Sequence, residues 1–322
     1  MLTRLRLCLA ALSLIVSASA FAADPLAQVK DLKITILSTM LADEGIGEWG
    51  FSALVVADGH ALLYDTGDHV DTVLKNAESL KIDLSAVPDV VLSHFHSDHT
   101  TGFIPLRKAM MAKNPAALAR AHVGEGIFTP RRTVLPMVEA NAMIWHKLEY
   151  EATGGVFVIH AKAEQLYPGV WLTGPVPRKY PEHNWGKGVK IVLPTGMVED
   201  TVPEDSALVI NTAQGLVILT GCGHAGIANI TDYAETFVRP ARLHAIIGGM
   251  HLYDATEEHI QWTADRLNAF GVDNLMGAHC TGIETTYTLR RELHLDRKHA
   301  VVGAVGASFS LDQGIAPGDI AQ

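Results

Sequence analysis

The chain has 322 residues, 48% hydrophobic and 19% charged, a balance that suits a folded globular protein and excludes a disordered or fibrous one. A formal charge of −10 excludes a surface of clustered lysine and arginine for phosphate binding, so no nucleic-acid partner is expected. Three cysteines exclude a disulfide-dense scaffold, whereas 16 histidines are a large supply of a residue that binds metals and carries protons near neutral pH.

In chain order, residues 1–22 read as a signal peptide. Arg4 and Arg6 give a basic start, 7–16 is apolar, and small residues follow up to a cleavage point before Ala23. The apolar run is shorter than the roughly 20 residues of a spanning helix. A periplasmic or secreted protein is therefore expected, with no stable membrane insertion after cleavage. Residues 23–322 are expected to form one domain, in which Cys222 and Cys280 are the remaining cysteines.

Strands are predicted at 33–38, 52–57 and 61–64, the last ending at Asp65-Thr66-Gly67. Helical spacing covers 70–80. Residues 89–93 form a short apolar strand of the kind buried on both faces, and a helix is predicted over 102–113. Residues 115–200 mix prolines, glycines and tryptophans with a strand-like run at 156–160, and are expected to form a cap or insert over the site. A hairpin follows at 207–211 and 216–220, then a helix at 226–237, a strand at 244–247, a helix at 256–270 and a strand at 274–276. Strands first and alternating helices later predict an α/β fold of two packed sheets with helices outside. The polar end, 312–322, is expected to be loose.

The chemistry concentrates in His94-Phe95-His96-Ser97-Asp98-His99, directly after the buried strand. In extended backbone, positions i and i+2 point the same way, so His94 and His96 can grip one ion while Asp98 and His99 face a second position. Imidazoles with one carboxylate suit one or two Zn²⁺ ions, with Mn²⁺ or Fe²⁺ as alternatives. His224, His251 and His279 each follow a short apolar strand and a glycine turn, the strand ends where ligands gather in such sheets. His60, His69, His146, His259, His294 and His299 show no motif and are expected to be solvated.

The loop His94 to His99 resembles the signature of the metallo-β-lactamase superfamily, which implies a four-layer αββα hydrolase fold with one or two metals. Asp65 matches the family's strand-end aspartate that supports the loop. Gly50-Phe51-Ser52, Gly221-Cys222-Gly223-His224-Ala225-Gly226-Ile227, Gly248-Gly249-Met250-His251-Leu252 and His279-Cys280-Thr281-Gly282 are similar to the dihydropterin–ribofuranosylaminobenzene phosphate synthase-like subgroup. The resemblance implies His94, His96, Asp98, His99, His224 and His279 as metal ligands, with His251 as a proton donor or, equally, a further ligand, and Asp98 also orienting the nucleophile. Two departures stand out. Where a histidine usually precedes the hairpin, this chain has Pro203-Glu204-Asp205, so Glu204 or Asp205 could supply oxygen, or the first metal could borrow His224. Where a bridging aspartate is usual, either Cys222 or His224 could bind; His224 is preferred because glycines free the loop to turn it inward.

The expected activity is hydrolysis of a small phosphoester or cyclic ester by a metal-bound hydroxide. The alternatives are a pterin-pathway synthase and a non-catalytic metal-binding or ligand-sensing protein. Arg131 with Arg132, or Arg178 with Lys179 and His183, could bind an anionic substrate group, though surface charge is the favoured reading. Glu48 and Trp49 could line the mouth, and Cys222 and Cys280 could pair in an oxidising compartment.

Overall fold

Strands Asp89–Leu92 and Gly215–Thr220 are apolar throughout or nearly so and buried at every position, as strands covered on both faces must be. They lie inside two separate sheets. The computed structural model describes residues 27–186 and 188–321; the signal peptide expected over 1–22 lies outside the described residues. The first sheet has eight strands in the order Gly314–Ala316, Ser308–Ser310, Leu32–Ser38, Ser52–Ala57, His60–Tyr64, Asp89–Leu92, Arg120–Gly124 and Val156–His160. The second has seven, in the order Ala300–Val302, Asn274–Gly277, Leu243–Gly248, Gly215–Thr220, Leu208–Thr212, Val170–Leu172 and Glu164–Tyr167.

The helices are α1 (Thr72–Ser79), the single turn α2 (Ser97–Thr100), α3 (Phe103–Met111), α4 (Met143–Ala152), α5 (Ile227–Phe237), α6 (Glu257–Phe270) and α7 (Ile283–Glu292). Ile34, Val55 and Val91 of the first sheet meet Leu208, Val217 and Ile247 of the second in a shared core. Val73 of α1, Phe103 and Leu106 of α3, and Tyr150 of α4 cover the outer face of the first sheet. Ile230 of α5, Leu267 of α6 and Leu289 of α7 cover that of the second. The four layers are thus helix, sheet, sheet, helix, as expected. Predicted boundaries shift by a residue or two where caps decide them: Thr256 caps α6 by accepting from His259 N–H, and Gly271 ends it in the left-handed conformation.

Two expectations are corrected. Residues 115–200 are not a cap as a whole, because Arg120–Gly124 and Val156–His160 extend the first sheet in parallel pairing and Glu164–Tyr167 and Val170–Leu172 complete the edge of the second. The prolines and glycines there punctuate short strands. What lies outside the sandwich is a three-stranded sheet of Arg131–Thr133, Val189–Leu193 and Gly196–Glu199, plus the stretch 178–186. The C-terminal end is not loose either: Gly314–Ala316 pairs antiparallel with Ser308–Ser310, and Ile320 N–H donates to Asp43 Oδ1 at 2.7 Å.

Parallel pairing aligns the strands Gly215–Thr220, Leu243–Gly248 and Asn274–Gly277, so the residues just after them meet at one edge of the sandwich. Asp89–Leu92 delivers its own following residues to the same edge.

Candidate metal centre

The loop after Asp89–Leu92 is shaped by Asp65. Its Oδ1 accepts from Ser93 N–H at 2.7 Å, and its Oδ2 accepts from Ser93 Oγ at 2.7 Å and from His99 Nδ1 at 2.8 Å. Asp65 is therefore a support rather than a ligand, as expected from its place in the chain. The turn α2 swings Asp98 and His99 away from the extended stretch that carries His94 and His96. Gly221 admits this arrangement, because a Cβ there would lie 2.3 Å from Ser93 Oγ and 2.4 Å from Asp65 Oδ2. Asp65, His251 and His279 all have positive φ, at 56°, 50° and 46°, a conformation that non-glycine residues adopt where surrounding structure enforces it.

Two donor sets result. His94, His96 and His224 form one; Asp98, His99, Cys222 and His279 form the other, the donor atoms within each set lying within 4.8 Å of one another. In the first set His94 Nε2 is 2.9 Å from His96 Nδ1, and His224 Nε2 is 3.2 Å from each. In the second, His99 Nε2 is 3.1 Å from Cys222 Sγ and 3.3 Å from His279 Nε2, which is 3.3 Å from Asp98 Oδ2. A third grouping of Cys222, His224 and His251 lies between them.

The chemistry of these donors fits a metal. The outward nitrogens are already engaged: His94 Nδ1 with Ser93 Oγ at 2.9 Å, His99 Nδ1 with Asp65, and His224 Nδ1 with the Asn184 carbonyl at 2.5 Å. With protons assigned there, lone pairs converge on each centre. Burial, and then the neighbouring imidazoles, hold His94 and His224 well below the ordinary histidine value, and His96 at about 4. These rings are neutral and ready to ligate. Burial pushes Asp98 up, but His99 and His279 outweigh it and keep the carboxylate ionised. Burial pushes the Cys222 thiol well up, so a thiolate at that position needs a cation beside it.

The structure places the other sequence candidates differently from one another. Cys222 groups with Asp98, His99 and His279, and His224 with His94 and His96, the alternative in which the first site borrows His224; the two also come together with His251, because the turn at Gly223 presents both side chains to the edge. Neither Glu204 nor Asp205 belongs to a donor set. Glu204 pairs with Arg131, and Asp205 Oδ2 accepts from Ala225 N–H at 3.0 Å, bracing the loop of His224. Arg131 is neither an anion binder nor surface charge; it is fully buried, 2.8 Å from Asp200, with its guanidinium over the Phe95 ring. Glu48 is buried too, receiving Ser38 Oγ at 2.6 Å and the amides of Asp68 and His69, so it holds the floor rather than the mouth. Trp49 does stand at the mouth, 43% exposed, its ring 4.9 Å from that of His279 and 5.4 Å from Tyr253. Cys222 and Cys280 are free thiols, so the possible disulfide is absent.

Beside His251 opens a recess of about 550 Å³. One wall is Pro181, His183, Asn184, Trp185 and Gly186; the other is His251, Tyr253, Asp254, Ala255, Thr256 and His259. His183 and Trp185 stack at 4.0 Å. Sequence reasoning missed Asn184, Trp185 and Tyr253, which belong to no motif and reach the site only through folding.

Comparison with known proteins agrees with this geometry. Residues 50–131 match the family model described as Metallo-beta-lactamase superfamily. The chain is 28% identical over 286 residues to the 7,8-dihydropterin-6-methyl-4-(beta-D-ribofuranosyl)-aminobenzene-5'-phosphate synthase of Methanocaldococcus jannaschii, covering 85% of this chain and 96% of that one. It is similar to the crystal structure of Tm1679, described as a metal-dependent hydrolase of the beta-lactamase superfamily, with a TM-score of 0.68 and 27% identity over 86% of this chain and 98% of the other. The metallo-beta-lactamase fold protein YhfI from Bacillus subtilis shares the fold, with a TM-score of 0.54 and 15% identity over 87% of this chain and all of that one. Residues 50–131 thus match a metallo-beta-lactamase superfamily domain, and the two-sheet sandwich is the fold of these solved metallo-beta-lactamase structures.

Proposed function

We propose that this protein is a metal-dependent hydrolase of a small ester, either a phosphoester or a cyclic ester. The observation that carries the reading is the pair of largely buried donor sets, His94/His96/His224 and Asp98/His99/Cys222/His279, with Asn184 and His251 linking His224 to an open recess. Nitrogen and sulfur donors favour zinc. A divalent cation in such a site supplies Lewis acidity and lowers the pKa of a water from about 15.7 toward about 7. Asp98, the partly exposed member of its set, orients the attacking water. His251 donates the proton to the leaving group: burial pulls it down, but Cys280 and Asp254 raise it above the ordinary histidine value, which favours the protonated ring. Among the described residues the recess is lined by His183, His251, His259 and Asp254 together with Trp185 and Tyr253, a mixed polar and aromatic surface that suits a small polar substrate. The N-terminal pattern of residues 1–22 supports export as the setting.

The test is metal analysis of the purified protein joined to a panel of phosphodiesters, lactones and thioesters. Bound metal and turnover that His96→Ala abolishes support the reading; metal without turnover on any of these makes it a binding or sensing protein. A second reading follows the similarity to the Methanocaldococcus jannaschii synthase, which spans nearly all of that relative. Formation of that enzyme's named product by the purified protein, together with fractionation into the cytoplasm, would favour it.

A further inference from the structure

The stretch 178–185 does more than wall the recess. It is tied to the loop and helix start at 224–229 by a ladder of hydrogen bonds. Arg178 Nη1 donates to the His224 carbonyl at 2.7 Å. The amides of Lys179 and Tyr180 both donate to Asn229 Oδ1 at 2.7 Å, and Asn229 Nδ2 returns a bond to the Tyr180 carbonyl at 3.1 Å. The Glu182 carboxylate, 3% exposed, accepts from the amides of Ala228 at 3.2 Å and Asn229 at 2.9 Å. The Asn184 carbonyl then receives His224 Nδ1, and Asn184 Nδ2 donates to the Met250 carbonyl at 3.3 Å.

Glu182 occupies the start of α5. The first amides of a helix lack intrahelical acceptors and carry the positive end of its dipole, which offsets part of the burial that pushes the Glu182 carboxyl up to about 7. No side chain at the helix's own N-cap serves this purpose, because the cap is Gly226. That glycine leaves the room: its φ is +92°, and a Cβ would meet Glu182 Cδ and Oε2 at 2.2 Å. Two residues beyond Glu182, the Asn184 carbonyl keeps the His224 proton on Nδ1 and so turns the Nε2 lone pair toward His94 and His96. An isolated surface salt bridge would have no such reach. The anchor, the carbonyl and the ligand form one short mechanical chain.

The geometry points to Glu182 as a positioning residue, whose carboxylate docks 178–185 on the first turn of α5 so that Asn184 orients His224 for the ion and Trp185 walls the recess. This rests on the reading of His94, His96 and His224 as a metal site. Two measurements separate the proposal from that reading. In the metal-free protein, long-range ¹H–¹⁵N NMR reports the His224 tautomer. In the same protein, Co²⁺ titration followed by visible absorption reports the ion-binding steps. Glu182→Ala is expected to lose the single Nδ1–H tautomer of His224 and to weaken one Co²⁺ step by about 10–100-fold, leaving the other step unchanged. Glu182→Gln keeps one acceptor oxygen but turns an NH₂ toward the second amide, so it is expected to mix the His224 tautomers and to weaken the same Co²⁺ step by less than alanine does, and it carries the test if the alanine variant does not fold. An unchanged His224 tautomer in these variants would overturn the role of Glu182. Failure of the unmodified protein to bind Co²⁺ would overturn the metal reading instead, while the tautomer still decides Glu182.

Discussion

Asp65→Asn is a stringent probe of the centre because it changes one atom's hydrogen-bonding role with almost no change in shape. Asp65 Oδ1 can stay an oxygen and keep its bond from Ser93 N–H, but Oδ2 becomes an NH₂ facing Ser93 Oγ and His99 Nδ1. A donor would then face the donor that fixes the His99 tautomer. Relief requires moving the His99 proton to Nε2, the atom aimed at Cys222 and His279, where a proton forbids ligation. Losing an outer hydrogen bond of this kind costs about 10–100-fold in metal affinity, or roughly 1.4–2.7 kcal/mol. The loss should fall mainly on the Asp98/His99/Cys222/His279 set, with a smaller effect passed to the His94/His96/His224 set through Ser93 Oγ, which also engages His94 Nδ1. The assay is chelator competition with zinc on both proteins, with far-UV circular dichroism to confirm folding. Equal affinity in the two proteins would refute the argument that Asp65 sets the tautomer. Equal weakening of both sets would show general damage to the loop.

Other outcomes follow from buried groups. Arg131→Ala should destabilise the protein by about 3–5 kcal/mol, since it strands Asp200 and Glu204 without their partner; urea unfolding measures it, and a change below 1 kcal/mol would contradict the buried pairing. Gly221→Ala should abolish metal retention, because the added carbon has no space between Ser93 and Asp65; a soluble variant with full metal content would show that the strand end can shift. Burial pushes the Asp89 carboxyl up, but hydrogen bonds from His122, Arg120 and Tyr167 outweigh it and hold it below its ordinary value. Its folded pKa is depressed, so its stabilisation is present above the unfolded value of about 4 and fades as pH falls through the folded one. Asp89→Asn should therefore be less stable than the unmodified protein at pH 6, with the gap closing below pH 4 in urea unfolding of metal-free samples.

Some of this molecule could be read directly from local pattern. Apolar runs at 89–93, 216–220 and 244–247 announced buried strands, because backbone pairing inside a sandwich demands continuous apolar cover. The ligand loop His94 to His99 was equally legible, since spacing along extended chain followed by a tight turn fixes which side chains can share an ion. The strands at 120–124, 164–167 and 170–172 were hidden. They are short and carry polar residues such as Arg120, His122 and Glu164, and their place in the sheets comes from partners outside the local pattern.

The site divides in the same way. Sequence by itself determined the candidate donor types and placed them after strands, because motif and strand-end position depend on residues close in the chain. Tertiary structure alone decided that Cys222 and His224 both reach the centre, that Arg131 is interior, and that the disulfide does not form. It also brought Glu182 and Asn184 to His224 across some forty residues. Those outcomes depend on how two sheets and a crossing segment close over one edge, where burial sets the charge of each group and distance sets its partner.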